Sequence, residues 1–251
     1  MRLTGGNAAR FAATPLSGGG TPAREWAIRP TAALDLTECP GLIVVAPHPD
    51  DETLGMGATA AQLAASGVDV AVVSVSDGGA AEPGASPSQR IRLESLRRRE
   101  LRRATEVLGI GAPMSLGLPD GQLADHEDEL TESLAVILEK AAPGTRCAGT
   151  WRGDGHPDHE AVGRAAAAAC ARTGTTLLEY PVWMWHWASP TDPAVPWDRA
   201  RSVRASPWAL HRKHLAAQCF RSQFEAARGG APVLPAFVLQ RLLTVGELVF
   251  V

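Results

Sequence analysis

Apolar residues fall along this chain in two rhythms. Short unbroken runs, GLIVVA (Gly41–Ala46) and VDVAVVSVS (68–76), have the length and β-branched content of strands buried on both faces. Between them, TLGMGATAAQLAASG (53–67) places small and apolar residues at helical spacing and stops at Gly67. SQRIRLESLRRRELRRATEVLG (88–109) predicts an amphipathic helix with Ile91, Leu101 and Leu108 among its apolar positions and Gly109 closing it. Further on, 114–123 predicts a short strand and a turn, 127–144 a helix, 145–150 a strand, 157–172 a helix and 175–185 another strand. Ser206 and Pro207 mark the start of a helix running to 220, and 246–251 ends the pattern as a strand. Strands alternating with helices predict βα units with right-handed crossovers. The expected fold is therefore α/β, a Rossmann-like open, mostly parallel sheet with helices on both faces. Residues 1–40, rich in Gly, Pro, Thr and Ala, lack this rhythm. They are expected to form an irregular arm, most flexible at SGGGTPA (17–23), packed on a single domain spanning 41–251.

Composition narrows the function classes. At 251 residues and 45% hydrophobic, one large core is feasible. The formal net charge of −3 supplies no positive field for nucleic acid or an anionic membrane surface. No stretch near the start suits a signal peptide and none has the length of a membrane span. Cys39, Cys147, Cys170 and Cys219 lie far apart with no C-x-x-C pair, the usage of free thiols in a reducing cytoplasm.

Candidate chemistry sits where two strands end. PHPDDE (47–52) follows the first buried run, at the carboxyl edge where open sheets bind ligands. Pro47 and Pro49 fix φ on either side of His48 and hold the imidazole in one direction. Asp50 and Asp51 are consecutive, so they point apart and suit different jobs. A metal ion relieves the crowding of like charge: His48 and one carboxylate bind it while the other faces the reacting water. An acidic turn capping the next helix is the plainer alternative. The second strand end, GDGHPDHE (153–160), repeats the pattern, with His156 and His159 three residues apart at a helix start. A third ligand from this loop completes a His48, Asp51, His159 set, and three protein ligands with one open position is the pattern of catalytic zinc. The same H-x-x-H spacing in HRKH (211–214) lies on a plain helix and is read as solvated or locally packed.

PHPDDE with a downstream HPDH resembles the LmbE/PIG-L family of metal-dependent N-acetylglucosaminyl deacetylases. VVSVSDGG, LRRRELRRATEVLG, LGLPDG and YPVWMWHWA agree with it, so that the likeness covers roughly residues 41–225 and leaves the arm uncovered. The resemblance implies an LmbE-like fold and a hydrolase that removes the N-acetyl or another N-acyl group from an N-acylglucosamine unit. It implies His48, Asp51 and His159 as ligands of one zinc ion per chain, other divalent metals being possible. Asp50 becomes the general base, His156 the stabiliser of the oxyanion, and Asp158 the residue that orients His156. Arg97 and Asp120 fall where the family contacts sugar, although Arg97 also fits a charged helix face with Glu94 and Arg98 as an i,i+4 pair.

The residues suit that chemistry on their own terms. Zinc lowers the pKa of its water toward ~7 and polarises an amide carbonyl. Asp50 then takes the water's proton, and a protonated His156 offsets charge on oxygen, an effect worth roughly 3 kcal/mol in oxyanion-hole donors. Glu52 fits a supporting or helix-start role. YPVWMWHWA, read as a strand, places Trp183, Trp185 and Trp187 on one face for stacking on a sugar or an apolar aglycone, or else for covering the sheet. Its other face carries His186 as a further substrate contact. The partner expected is a small-molecule glycoside or glycoconjugate. Three rivals remain at this point: a non-haem Fe(II) enzyme using the same His/Asp/His triad, a non-catalytic carbohydrate-binding relative, and nucleic-acid binding through the arginine-rich helix, which the acidic balance disfavours.

Overall fold

The computed structural model describes residues 6–26, 32–36, 38–82, 84–225 and 232–251. Parts of the arm, 1–5, 27–31 and 37, lie outside the described residues. Eight described strands form one sheet: β1 (Ala32–Leu34), β2 (Gly41–Ala46), β3 (Asp69–Ser76), β4 (Met114–Leu118), β5 (Arg146–Thr150), β6 (Thr176–Tyr180), β7 (Ala200–Val203) and β8 (Glu247–Phe250). Their spatial order is β1-β7-β8-β6-β5-β2-β3-β4. All neighbours run parallel except at β8, which is antiparallel to both β6 and β7.

The helices are α1 (Asn7–Ala12), α2 (Ala23–Trp26), α3 (Asp51–Ala65), α4 (Pro87–Leu108), α5 (Glu127–Glu139), α6 (Pro157–Thr173), α7 (Met184–Trp187), α8 (Pro207–Ala217), α9 (Arg221–Phe224) and α10 (Ala236–Thr244). Why β2 is apolar at every position is visible in its surroundings, because both of its faces are covered. Leu42 and Val44 join a core with Leu54 of α3, Leu101 of α4 and Ala216 of α8. Ile43 and Val45 join a second core with Leu130 and Leu134 of α5 and Val162 of α6. The result is the expected α/β architecture, helices on both faces of a mostly parallel sheet.

β3 lies on one side of β2 and β5 on the other. Crossovers therefore leave in opposite directions from β2 and β5, and a crevice opens beyond their carboxyl ends. Close packing keeps the helices against that edge. At Gly55 of α3 a Cβ would fall 2.2 Å from Cδ2 of Tyr180, so the helix can seat there only without a side chain. Tyr180 in turn donates its hydroxyl to the carbonyl of Val45 at 2.8 Å.

Several boundaries follow the local signals. Gly109 ends α4 in the left-handed conformation (φ 78°), and the Ser206 hydroxyl caps α8 by accepting the N–H of Ala209. Others depart from them. The stretch 175–185 is not one strand: β6 ends at Tyr180, and 184–187 is the short helix α7. Pro181 has no N–H for the ladder, and the N–H groups of Val182, Trp183 and Met184 all donate to the Asp154 carboxylate, which turns the chain. The tryptophans consequently do not share a strand face. Ile91 is 63% exposed rather than part of the apolar side of α4. The arm, expected to be irregular, contains α1, α2 and the edge strand β1 among its described residues.

Candidate active site

The loop after β2 carries the first half of the site. Asp50 is the sole described non-glycine residue with positive φ (136°), a conformation that costs on the order of 1–3 kcal/mol and persists only where its surroundings impose it. Those surroundings are identifiable. The buried Arg97 guanidinium donates to the carbonyls of Pro49 (2.8 Å) and Gly78 (3.1 Å), tying the β2 and β3 loops together, and lies 3.4 Å from Asp50 Oδ2. Gly78 (φ 70°) gives it room, since a Cβ there would sit 2.2 Å from Arg97 Nη1. Glu52 accepts the N–H of Asp50 at 3.0 Å, a helix-start contact.

The loop after β5 carries the second half. Gly163 lets α6 close on the strand end, because a Cβ there would meet the Thr150 carbonyl at 2.4 Å. Thr150 then donates its hydroxyl to the carbonyl of His159 at 2.9 Å. Asp154, fully buried, lies 2.8 Å from Nδ1 of His159 while accepting the three N–H groups that start α7. The proton between them belongs on Nδ1, which leaves Nε2 of His159 as a lone-pair donor. His156 caps α6: its Nδ1 accepts the N–H of Asp158 at 3.2 Å, so Nε2 carries the ring proton of the neutral imidazole.

The two loops converge on Asp51. Its Oδ2 is 3.1 Å from Nδ1 of His48 and 3.2 Å from Nε2 of His159. One ligand atom from each of His48, Asp51 and His159 lies within 4.8 Å of the others. His159 Nε2 is buried and makes no hydrogen bond, an orphaned donor atom of the kind a cation satisfies. Two imidazoles and a carboxylate fit a divalent transition metal with an open position. His48, His156 and Asp158 form a second grouping within the same limit.

Charge at the site is lopsided in a way that also suits a cation. Burial alone would lower His48, yet Asp120, Asp158 and Asp51 hold it well above the ordinary imidazole range. Burial opposes ionisation of Asp51, but the adjacent His159 and His48 keep it far below the carboxylate range. His159 rises to about 9 against its burial because Asp51 and Asp154 flank it. Asp50 goes the other way: burial pushes it up to about 8, with Arg97 offsetting part of the effect. His156 is depressed to about 3 by burial and by its two histidine neighbours. Asp120 falls to about 2, burial being outweighed by His48.

A cleft of about 230 Å³ is lined by the polar His48, Asp50, Asp51, Arg97, Asp120 and His156 and by the apolar Val182, Trp183, Leu234 and Val238. Asp120 lies 3.1 Å from His48 Nε2 and accepts the N–H of Ala80. The Asp158 carboxylate accepts the N–H groups of Gly121 and Leu123 and stands 3.1 Å from His48 Nε2. It holds the β4 loop, and Asp158 meets His156 through its backbone rather than through its carboxylate. Arg97 does not belong to a charged helix face. No Glu94–Arg98 bridge forms, and Arg98 pairs with Asp77. Of the three tryptophans only Trp183 lines the cleft. His186 does not: it is buried between the Thr14 carbonyl (3.0 Å) and Arg241 (2.9 Å). Its displacement follows from α7 replacing the expected strand. Sequence reasoning assigned no role to Asp154, whose signal was its place between two glycines in the second loop.

A family model described as PIG-L, GlcNAc-PI de-N-acetylase, matches residues 43–170, just over half of the chain. The diacetylchitobiose deacetylase of Thermococcus kodakarensis is 29% identical over 135 residues, covering 53% of this chain and 50% of that protein. The 1D-myo-inositol 2-acetamido-2-deoxy-alpha-D-glucopyranoside deacetylase 1 of Saccharopolyspora erythraea is 30% identical over 177 residues, covering 57% and 58%. The chain thus spans about half the length of these two relatives. In three dimensions it is similar to the crystal structure of a conserved protein from Thermus thermophilus, with a TM-score of 0.59, 29% identity and coverage of 80% of this chain and 84% of the other.

Proposed function

The chain belongs to the PIG-L (GlcNAc-PI de-N-acetylase) family, and from that premise we propose that it is a zinc-dependent amidohydrolase acting on an N-acylglucosamine-containing small molecule or glycoconjugate. The observation that carries this reading is the meeting of His48, Asp51 and the hydrogen-bond-free Nε2 of His159 beside a cleft that His48, Asp50, Asp51 and His156 line. Relatives named for removing acetyl groups from chitobiose and from a glucosaminyl inositol support the substrate class. The polar lining suits the hydroxyls of a sugar, and Trp183 with its apolar neighbours suits a ring face or an aglycone.

His48, Asp51 and His159 would hold the ion, which when bound acidifies water and polarises the amide carbonyl. Asp50 lines the cleft beside them; a cation there would favour its ionised form against the effect of burial, and its carboxylate accepts the proton of the attacking water. Arg97 fixes the loop that presents it. His156 donates a hydrogen bond from Nε2–H to the amide oxygen as that atom gains charge, acting as a neutral donor rather than as an imidazolium, and the proton taken up by Asp50 passes to the leaving amine as the C–N bond breaks. Arg97 and Asp120 are proposed to contact sugar hydroxyls from the polar lining. Of the arginine-rich helix, Arg97 is buried against the Pro49 carbonyl and the exposed Arg98 pairs with Asp77. We propose a cytoplasmic location, with which the free thiols of the four cysteines accord; no described helix is long and apolar enough to cross a membrane.

Release of free amine from a panel of N-acetylglucosamine conjugates, with and without chelator, tests the reading. Asp50→Asn is expected to retain metal and lose roughly 10²- to 10⁴-fold in kcat, the range for a general base, while His159→Ala loses both metal and turnover. Unimpaired hydrolysis by Asp50→Asn would falsify the assignment of the base.

A further inference from the structure

The N-terminal arm precedes the residues that the family model matches, yet it packs against His156 and Trp183, two residues that line the cleft. Two glycines of the second loop have faces that the arm fills together with Trp151 and Trp187. A Cβ at Gly153 would fall 2.9 Å from Nδ2 of Asn7, and one at Gly155 (φ 96°) 2.8 Å from Cβ of Phe11. Asn7 uses that closeness to donate to the carbonyl of Gly153 at 2.8 Å. Phe11 then places its ring 5.8 Å from that of His156 and 5.1 Å from that of Trp183, tilted by 56° and 54°. His156 and Trp183 are themselves stacked, 6.5 Å apart and 20° from parallel. These separations are those of favourable aromatic contacts, two tilted and one stacked.

The arm is held at both ends of this contact. Arg10 pairs with Asp192 and lies 4.4 Å over the ring of Trp187, whose indole N–H donates to the carbonyl of Asp154. Farther along, Thr21 donates its N–H to the carbonyl of His186 at 3.0 Å, and Arg241 of α10 donates to the carbonyl of Gly19. One segment therefore presses on the loop of Asp154, on His156 and on Trp183.

We propose that the arm is part of the active site and that Phe11 is a positioning residue, fixing the ring of His156 at the angle from which Nε2 meets the substrate oxygen. The inference rests on the reading of His156 given above. Holding a donor to within about an ångström matters, since a misplacement of that size can cost roughly 10²-fold. Phe11 touches none of the three metal ligands in the ring contacts above, so metal binding should be insensitive to it.

The test has two arms. In kinetics, Phe11→Ala is expected to lower kcat by roughly 10- to 100-fold with a smaller change in KM and unchanged zinc content, and Phe11→Tyr to recover most of the loss. Introduced on a His156→Ala background, the same Phe11→Ala change should cost little more, because the two act as one unit. A loss of equal size in both backgrounds, or a rise in KM alone, would show Phe11 to be merely structural. The second arm needs no turnover. In the full-length zinc-loaded protein, nuclear Overhauser contacts between the Phe11 and His156 rings are expected, with the His156 ring resonances shifting in Phe11→Ala and the other histidines keeping theirs. Absence of those contacts overturns the proposal. Should wild type release no amine from any conjugate, the function above fails while the ring contacts still decide the role of the arm.

Discussion

Asp154 accepts three backbone N–H groups and pairs with His159 Nδ1, all from a position with no solvent exposure. One carboxylate thereby sets the tautomer of His159, the proposed metal ligand, and turns the chain that carries Trp183. Asp154→Asn keeps the volume but presents an amide N–H₂ toward groups that are donors. Metal affinity is expected to fall about 10- to 100-fold, the usual effect of removing an acceptor behind a ligating histidine. A zinc titration against a competing chelator measures it, and an unchanged affinity would remove Asp154 from the site. At this scale the sequence was most legible where chemistry is unusual. His48, Asp50, Asp51, His156 and His159 stood out because acids and imidazoles at strand ends need a reason. Arg97 was ambiguous because a run of three arginines looks the same whether one is buried or none is. His186 was misplaced because alternating aromatics read as a strand, whereas a distant carboxylate had captured the backbone donors the strand needed.

Between elements, the buried ion pair of Lys213 and Glu247 joins three of them. Lys213 of α8 meets Glu247 of β8 at 2.9 Å, and the same carboxylate accepts the N–H groups of Ala58 and Thr59 in the body of α3. Both side chains are nearly without exposure, 2% and 1%. Lys213→Met strands a buried charge and is expected to cost about 3–5 kcal/mol of unfolding free energy in urea titrations. The double change to Met and Gln should cost less than the sum of the single changes, because neither partner then remains charged alone. Strict additivity would mean the pair is not coupled. The sequence showed α8 through its Ser206–Pro207 start, and β2, β3 and β5 through their apolar runs. It concealed Lys213, which occupies an HRKH stretch whose histidines read as solvated or locally packed and which gives no sign of the carboxylate that β8 lays beside the lysine.

The molecule as a whole has two halves that differ in how they can be assembled. β2 through β6 arise from successive βα units, each strand laid beside one that precedes it in the chain, β3 on β2, β4 on β3, β5 back on β2 and β6 on β5. β1 is otherwise: among the described residues it pairs only with β7, and β7 reaches the remainder of the sheet through β8. A strand that precedes all the others in the chain thus waits for the one that follows them all. Pairing of such sequence separation is slow, since loop closure must come before its reward. In pulsed amide labelling during refolding, Ala33 and Ser202 are expected to acquire protection after Ile43 and Val73, and simultaneous protection would contradict this. The antiparallel wedge of β8 therefore acts in time as well as in space: until it arrives, one margin of the nascent sheet stays open, offering bare peptide groups to any neighbouring chain.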